Sequence, residues 1–285
     1  MYAYEPISHE QLSESAAKQS RLATDPSALG DLGLKPYADV GQTFATSTGK
    51  PLSIEELIKF GARFEDNFTR PANHFYNPLT GQGVSGFTPS PDWAINGDGD
   101  LSTTKFSFKA AREYMFNALT DSSENFRLKQ FGLMFQSLGQ VIHHIQDMAQ
   151  PQHVRDDKHC DFLFPCLIPG SLFGLHNPSH FEKWTLENIS IGPLLGTLPV
   201  YATVYGVTDV QTFNSPKKFW YTVPPGPSSP LSGKGIAEFT NRNFVSAGTN
   251  FDKPQQPSPP FFALPRSIQP GSPSPRLLSF ATTQV

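Results

Sequence analysis

Residues 138–159 read LGQVIHHIQDMAQPQHVRDDKH. His143 and Asp147 stand four apart, a spacing that on a helix stacks two side chains on one face, about one turn from each other, so that both can reach a single ion. Pro151 has no N–H to give and crowds the turn before it, so it ends or kinks that helix. His153, two residues further on, is thereby released from the helix axis. A nitrogen, an oxygen and a second nitrogen converge at a helix end, which is the ligand chemistry zinc prefers. Taken alone, one His and one Asp at this spacing are more often a core histidine beside a solvated aspartate, so the rest of the chain has to decide.

The helix can be traced upstream by its apolar spacing. Phe131, Phe135, Leu138, Val141, Ile142 and Ile145 recur at threes and fours and form a core stripe. His143 and Asp147 fall beside that stripe, with Gly139 leaving room one turn earlier. Asp121-Ser-Ser marks the start of this helix, and a preceding helix from about Thr104 to Leu119 turns Phe106, Ala110, Tyr114, Met115 and Ala118 inward. Further upstream, Ser53 to Glu56 is a capping box that opens a helix with Ile54, Leu57, Ile58 and Phe64 on its apolar face. That helix ends on Glu65 and Asp66, two acids placed against the helix dipole, an arrangement that calls for a nearby cation. Ser8 to Gln11 reads as another capping box, with His9 in the first turn of a helix running to about Leu22. His74 is followed by Phe75 and Tyr76, for which core packing is the commoner role and substrate contact the sharper one.

Composition narrows the class. The chain has 285 residues, 38% of them hydrophobic, enough for one substantial core, and 27 prolines with 22 glycines call for long irregular connections between helices. A net charge of −3 offers no basic excess for duplex nucleic acid. No apolar run is long enough to span a bilayer. The apolar segment 162–175, broken by Pro165, Pro169 and Gly170, reads as a buried loop or as a loop touching a membrane surface. Residues 1–20 lack the pattern of a signal peptide. Cys160 and Cys166 form either a small loop disulfide or two free thiols. Between Ile189 and Pro230 strand-like runs such as Pro199 to Val207 mix with turns, and a last helix is expected over about Gly233 to Phe244. The expected division is a helical domain over 1–250 and a Pro-rich, disordered tail over 251–285, which carries eight prolines in 35 residues.

In order along the chain, these pieces resemble one superfamily, the zinc-dependent phospholipases C and the related fungal zinc-dependent single-strand-specific nucleases. The family pattern His-x3-Asp-x5-His matches His143, Asp147 and His153, with Pro151 at the family's proline. Gly61-Ala-Arg-Phe-Glu-Asp66 resembles the segment of the family's aspartate ligand, and His74-Phe-Tyr-Asn-Pro its His-Phe-Tyr-Asp-Pro. Phe181-Glu182-Lys-Trp184 resembles the family's glutamate step, and His9 the N-terminal histidine ligand. The resemblance covers roughly residues 8–185.

What the resemblance implies is a mainly α fold, a phospholipase C/nuclease-type multi-helix bundle with long loops, holding two or three zinc ions in a cleft. Asp66, His74, His143 and Asp147 would hold the first ion. His153, Glu182 and a histidine before it would hold the second; His176 is preferred over His180 because it lies in the loop ahead of the helix. His9 would hold the third, with Asp147 as a bridge. The family's histidine four before the glutamate is Pro178 here, and its N-terminal tryptophan has no counterpart in Met1-Tyr2-Ala3-Tyr4. The implied activity is hydrolysis of a phosphodiester, most readily a phospholipid head group, by a metal-activated water that Asp66 orients or deprotonates. Asn67 stands where the phospholipases place a choline-contacting tyrosine, so a choline pocket is not implied. A single-strand nuclease and a non-catalytic zinc-stabilised binding protein are the competing expectations. Family resemblance also implies a secreted or periplasmic protein.

Overall fold

The structure, a computed structural model, describes residues 6–25, 27, 42–66, 70–84, 86–97, 106–155, 185–187 and 215–244, and among them it is mainly helical. In chain order the elements are α1 (Pro6–Gln19), a ribbon of β1 (Phe44–Ala45) and β2 (Pro51–Leu52), α2 (Ile54–Phe64), α3 (Ser90–Asn96), α4 (Phe108–Thr120), α5 (Glu124–Asp147) and, after two short helical turns, α6 (Ile236–Asn243). The two strands pair antiparallel, Phe44 opposite Leu52.

Local chemistry accounts for most of the boundaries. Ser53 caps α2 in a full capping box with Glu56, Ser107 caps α4 and Ser123 caps the 24-residue α5. The expected cap at Ser8 is corrected: α1 begins two residues earlier, at Pro6, and Ser8 is buried inside it. Proline suits a first helical position because the N–H it lacks has no intrahelical partner there. α4 starts at Phe108 rather than near Thr104, leaving Phe106 buried just outside it. No strand occurs in the described part of the expected 189–230 region; residues 215–230 carry turns at Pro216–Phe219 and Ser229–Ser232. Pro216, Pro224, Pro225, Pro227 and Pro230 remove the N–H groups that a strand ladder needs. Residues 189–214, the segment 162–175, Cys160, Cys166 and the tail lie outside the described residues.

α5 is the axis of the molecule. Its first half packs Phe131, Met134 and Phe135 against Leu57 and Ile58 of α2 and Phe44 and Leu52 of the ribbon. Its second half packs Val141 against Tyr76, Met148, Val154, Trp220 and Ala237. Gln136, fully buried between them, accepts from the Ser47 backbone N–H at 2.8 Å and donates to Ser47 Oγ at 3.0 Å.

α2 and α5 cross with their backbones in contact. A Cβ on Gly139 would fall 2.1 Å from the Ile58 carbonyl oxygen, and one on Gly61 would fall 2.1 Å from the Gln136 carbonyl oxygen. The room that Gly139 leaves is therefore filled by the neighbouring helix, and this brings the end of α2 beside His143. Gly139→Ala is expected to lose about 1–3 kcal/mol of stability, because a backbone carbonyl cannot rotate away as a side chain can. An unchanged urea midpoint would show that the crossing is not this close.

Candidate metal centre

Five described side chains singled out by sequence converge at the lower end of α5. Asp147 closes that helix and His143 sits one turn before it. Asp66 follows the capping residue of α2, His74 follows a 3-10 turn at Arg70–Asn73, and His9 lies on the inner face of α1. All five are buried.

Their ligand atoms face one another. His74 Nδ1 lies 3.2 Å from His143 Nε2; Asp147 Oδ2 lies 3.0 Å and 3.3 Å from the same two nitrogens. Asp66 Oδ1 lies 3.6 Å from each. A tetrahedral ion with bonds of ~2.0–2.1 Å separates its ligand atoms by about 3.3–3.4 Å. The other oxygen of Asp147, Oδ1, lies 3.3 Å from His9 Nε2, so the carboxylate spans two groups, one oxygen toward each. None of the four Asp66 and Asp147 oxygens accepts a hydrogen bond although all are buried. Buried carboxylate oxygens without hydrogen bonds are costly unless a cation satisfies them.

The ring tautomers are set from behind. His143 Nδ1 donates to the Ala62 carbonyl at 2.6 Å, and His9 Nδ1 donates to Gln146 Oε1 at 2.6 Å. Gln146 is oriented in turn, because its Nε2 donates to Ser13 Oγ at 2.9 Å. Each ring therefore turns a bare Nε2 toward Asp147, as an ion-binding histidine does. Two groups, Asp66–His74–His143 and His9–His143–Asp147, could hold a metal ion.

Models of known families, curated proteins and solved structures were all compared with the chain, and none matches.

His153 stands beside these groups rather than in them. Its Nδ1 donates to the His74 carbonyl at 3.1 Å, its carbonyl accepts from the Tyr76 N–H at 2.9 Å, and its ring stacks on Phe75 at 4.1 Å. Phe75 is fully buried, so it packs the core. The partners expected for His153, which are His176 and Glu182 with His180 as the alternative, lie outside the described residues, as does Asn67.

Burial and mutual charge split the protonation of the cluster. Burial pushes the Asp66 carboxyl well above the usual carboxylate range, with Asp147 adding to the effect. Burial acts the same way on Asp147, but His143 and His74 overcome it and hold that carboxyl well below. Burial would lower His74, yet Asp147 raises it to about 9, while burial takes His143 down to about 3. The cluster thus balances its own charge with protons that a cation would displace.

A third group, Glu65–His74–His144, went unread in the sequence. Glu65 is fully buried: Arg70 donates to its Oε2 at 2.7 Å, and Trp93 Nε1 and His144 Nε2 lie 3.2 Å and 2.9 Å from its Oε1. Arg70 is thus the cation that the acidic end of α2 calls for. His144 Nδ1 contacts Ser90 Oγ at 3.0 Å, and that oxygen accepts from Trp220 Nε1 at 3.1 Å. The available signal was the HisHis pair: adjacent helical residues point about 100° apart, so the second histidine had to serve another face.

Proposed function

We propose that the chain is a zinc-dependent phosphodiester hydrolase acting on phospholipid head groups, working outside the cytosol as a secreted or periplasmic protein. The observation that carries this reading is the Asp147 carboxylate, which reaches two histidine groups with one oxygen each while no hydrogen bond satisfies either oxygen. The order of His9, Asp66, His74, His143, Asp147 and His153 along the chain supports the choice of zinc and of phosphodiester chemistry. The ligand set also supports it: imidazole and carboxylate with no thiolate among the described residues suits zinc at a hydrolytic centre.

Zinc in such a centre supplies Lewis acidity, drawing charge from phosphoryl oxygens and lowering the pKa of a water toward neutrality. The chain's residues do the rest. Asp147 would supply carboxylate charge to an ion held with His74 and His143 and, through its other oxygen, to one held with His9. His9 and His143 hold their Nε2 atoms in place through Gln146 and Ala62. Asp66 turns Oδ1 to the rings, which leaves Oδ2 to orient the attacking water and take its proton. No helix among the described residues is long and apolar enough to cross a membrane; a lipid substrate would be met at a membrane surface, and the apolar segment 162–175 is the proposed contact.

Elemental analysis after growth with zinc is expected to find about two or more ions per chain, and less than one would sink the reading. Chelator-sensitive release of phosphorylated head groups from mixed phospholipid vesicles is the expected activity. Nucleotide release from single-stranded DNA instead would make the chain a nuclease; bound zinc with neither activity would make it a binding protein.

A further inference from the structure

We propose that Glu65 is the positioning residue that decides which nitrogen of His74 faces the metal centre; the inference rests on the zinc reading above. His74 is reversed relative to the histidines around it. His9, His143 and His153 each point Nδ1 at an oxygen acceptor, whereas His74 turns Nδ1 into the cluster, 3.0 Å from Asp147 Oδ2, and Nε2 away from it. Nε2 is buried and makes no hydrogen bond, and Glu65 Oε1 lies 3.8 Å from it.

A carboxylate at that distance in a buried site discriminates between tautomers without a formed hydrogen bond. With the proton on Nε2, the N–H dipole points at negative charge, and the bare Nδ1 lone pair faces the ligands. In the other tautomer, the Nε2 lone pair faces the carboxylate and is repelled, while a proton on Nδ1 blocks the ion. Carboxylates behind an ion-binding imidazole work in this way. Glu65 can act only if its charge stays fixed, and the surrounding side chains see to that: Arg70, Trp93 and His144 hold both oxygens.

The same three partners argue against an ion of its own between Glu65, His74 and His144. The Arg70 guanidinium lies 2.7 Å from Oε2, and a divalent cation beside it would meet a fixed positive charge. Oε1 is also already contacted by Trp93 and His144. Glu65 therefore serves His74 through space rather than as a ligand.

The test uses the zinc-loaded full chain. Glu65→Gln is expected to weaken zinc binding ~10–100-fold in chelator competition, the range seen when the partner behind a metal-bound histidine is lost. Long-range proton–nitrogen spectra of histidine-labelled protein are expected to show His74, assigned through His74→Gln, protonated at Nε2 in the wild type and to lose that pattern in Glu65→Gln. Glu65→Asp keeps the charge and draws it back from the ring, so an intermediate loss of affinity is expected should the glutamine variant fold poorly. Glu238→Gln is the control. Glu238 is a buried carboxylate that accepts hydrogen bonds from Thr222, Val223, Ser229 and Gly235, and its loss should lower stability without moving zinc affinity. Unchanged zinc affinity and an unchanged His74 pattern in both Glu65 variants would overturn the inference and leave the zinc reading standing. Loss of one whole zinc equivalent, with the remaining ions bound as before, would overturn it by making Glu65 a ligand. A wild type that binds no zinc would overturn both.

Discussion

Asp147→Asn is expected to abolish phosphodiester hydrolysis and to remove more than one ion's worth of zinc. The side chain keeps its shape, so the effect isolates charge. Oδ1 faces His9 Nε2 and Oδ2 faces His74 Nδ1 and His143 Nε2, so the amide must turn its NH2 toward one of the two groups. Whichever it faces then meets a hydrogen-bond donor where an ion needs a lone pair. Breaking a buried charge set by removing one member costs about 3–5 kcal/mol, and here it leaves the His74 imidazolium without the carboxylate beside it. Glu238→Gln serves again as the comparison, since it lies in a different network. Zinc stoichiometry, a thermal melt and the head-group release assay measured on both variants decide the matter. If Asp147→Asn keeps its zinc and its rate, the bridge does not exist.

Stripping zinc with a chelator is expected to lower the melting temperature on the order of 10 °C at neutral pH. A ligand at 1,000 times its dissociation constant stabilises by about 4 kcal/mol, and for a chain of this size each kcal/mol moves the midpoint by about 2–4 °C. The stripped protein should also respond differently to pH. His74 has its pKa raised to about 9, so its contribution is complete below 6.5, the unfolded value, and is lost as pH climbs from there through about 9. Asp147 and Glu65 are depressed, so their contribution is present above the usual carboxylate range and is lost as pH falls below it. Asp66 has the opposite sign: its raised carboxyl penalises the fold increasingly as pH rises above 3.8, and a cation relieves that penalty. Burial depresses His143 to about 3 and lowers His144 as well, so both cost stability as pH falls below 6.5; stability of the stripped protein should therefore peak near pH 6.5 and fall toward pH 9, whereas zinc-loaded protein, with His74 neutral and bound, should show no such alkaline fall. Parallel melts between pH 5 and 9 with and without zinc would expose any error in these signs.

Residues close together in sequence were the readable part of this centre. The i,i+4 spacing of His143 and Asp147 fixes their relation once the stretch is helical, and the Ser53–Glu56 capping box sets the helix that ends at Asp66. The helical class likewise follows from the apolar repeat of α5. Less could be read where two distant segments must meet. Glu65 and Asp66 are neighbours, and only the way α2 ends decides that Asp66 faces the His74 and His143 nitrogens while Glu65 turns to Arg70, Trp93 and His144. His144 carried a signal in its position beside His143, but its acceptor is 79 residues away. The start of α1 was missed because the Ser8 capping pattern was read ahead of Pro6, a residue that suits the first position of a helix. The backbone contact of Gly61 with Gln136 and of Gly139 with Ile58 is a pairing that no single segment announces.

That contact also sets the spacing of the donor atoms. Asp66 is carried by the end of α2 and His143 by α5, so the distance at which the two backbones touch sets how far apart oxygen and nitrogen stand. With no side chain between the helices, the gap has reached its lower limit, and at that limit Asp66 Oδ1 and His143 Nε2 stand 3.6 Å apart. A methyl group at Gly139 would separate the helices and open the cage. The surviving fraction of such a protein should bind a metal ion more weakly, although neither glycine offers a ligand atom.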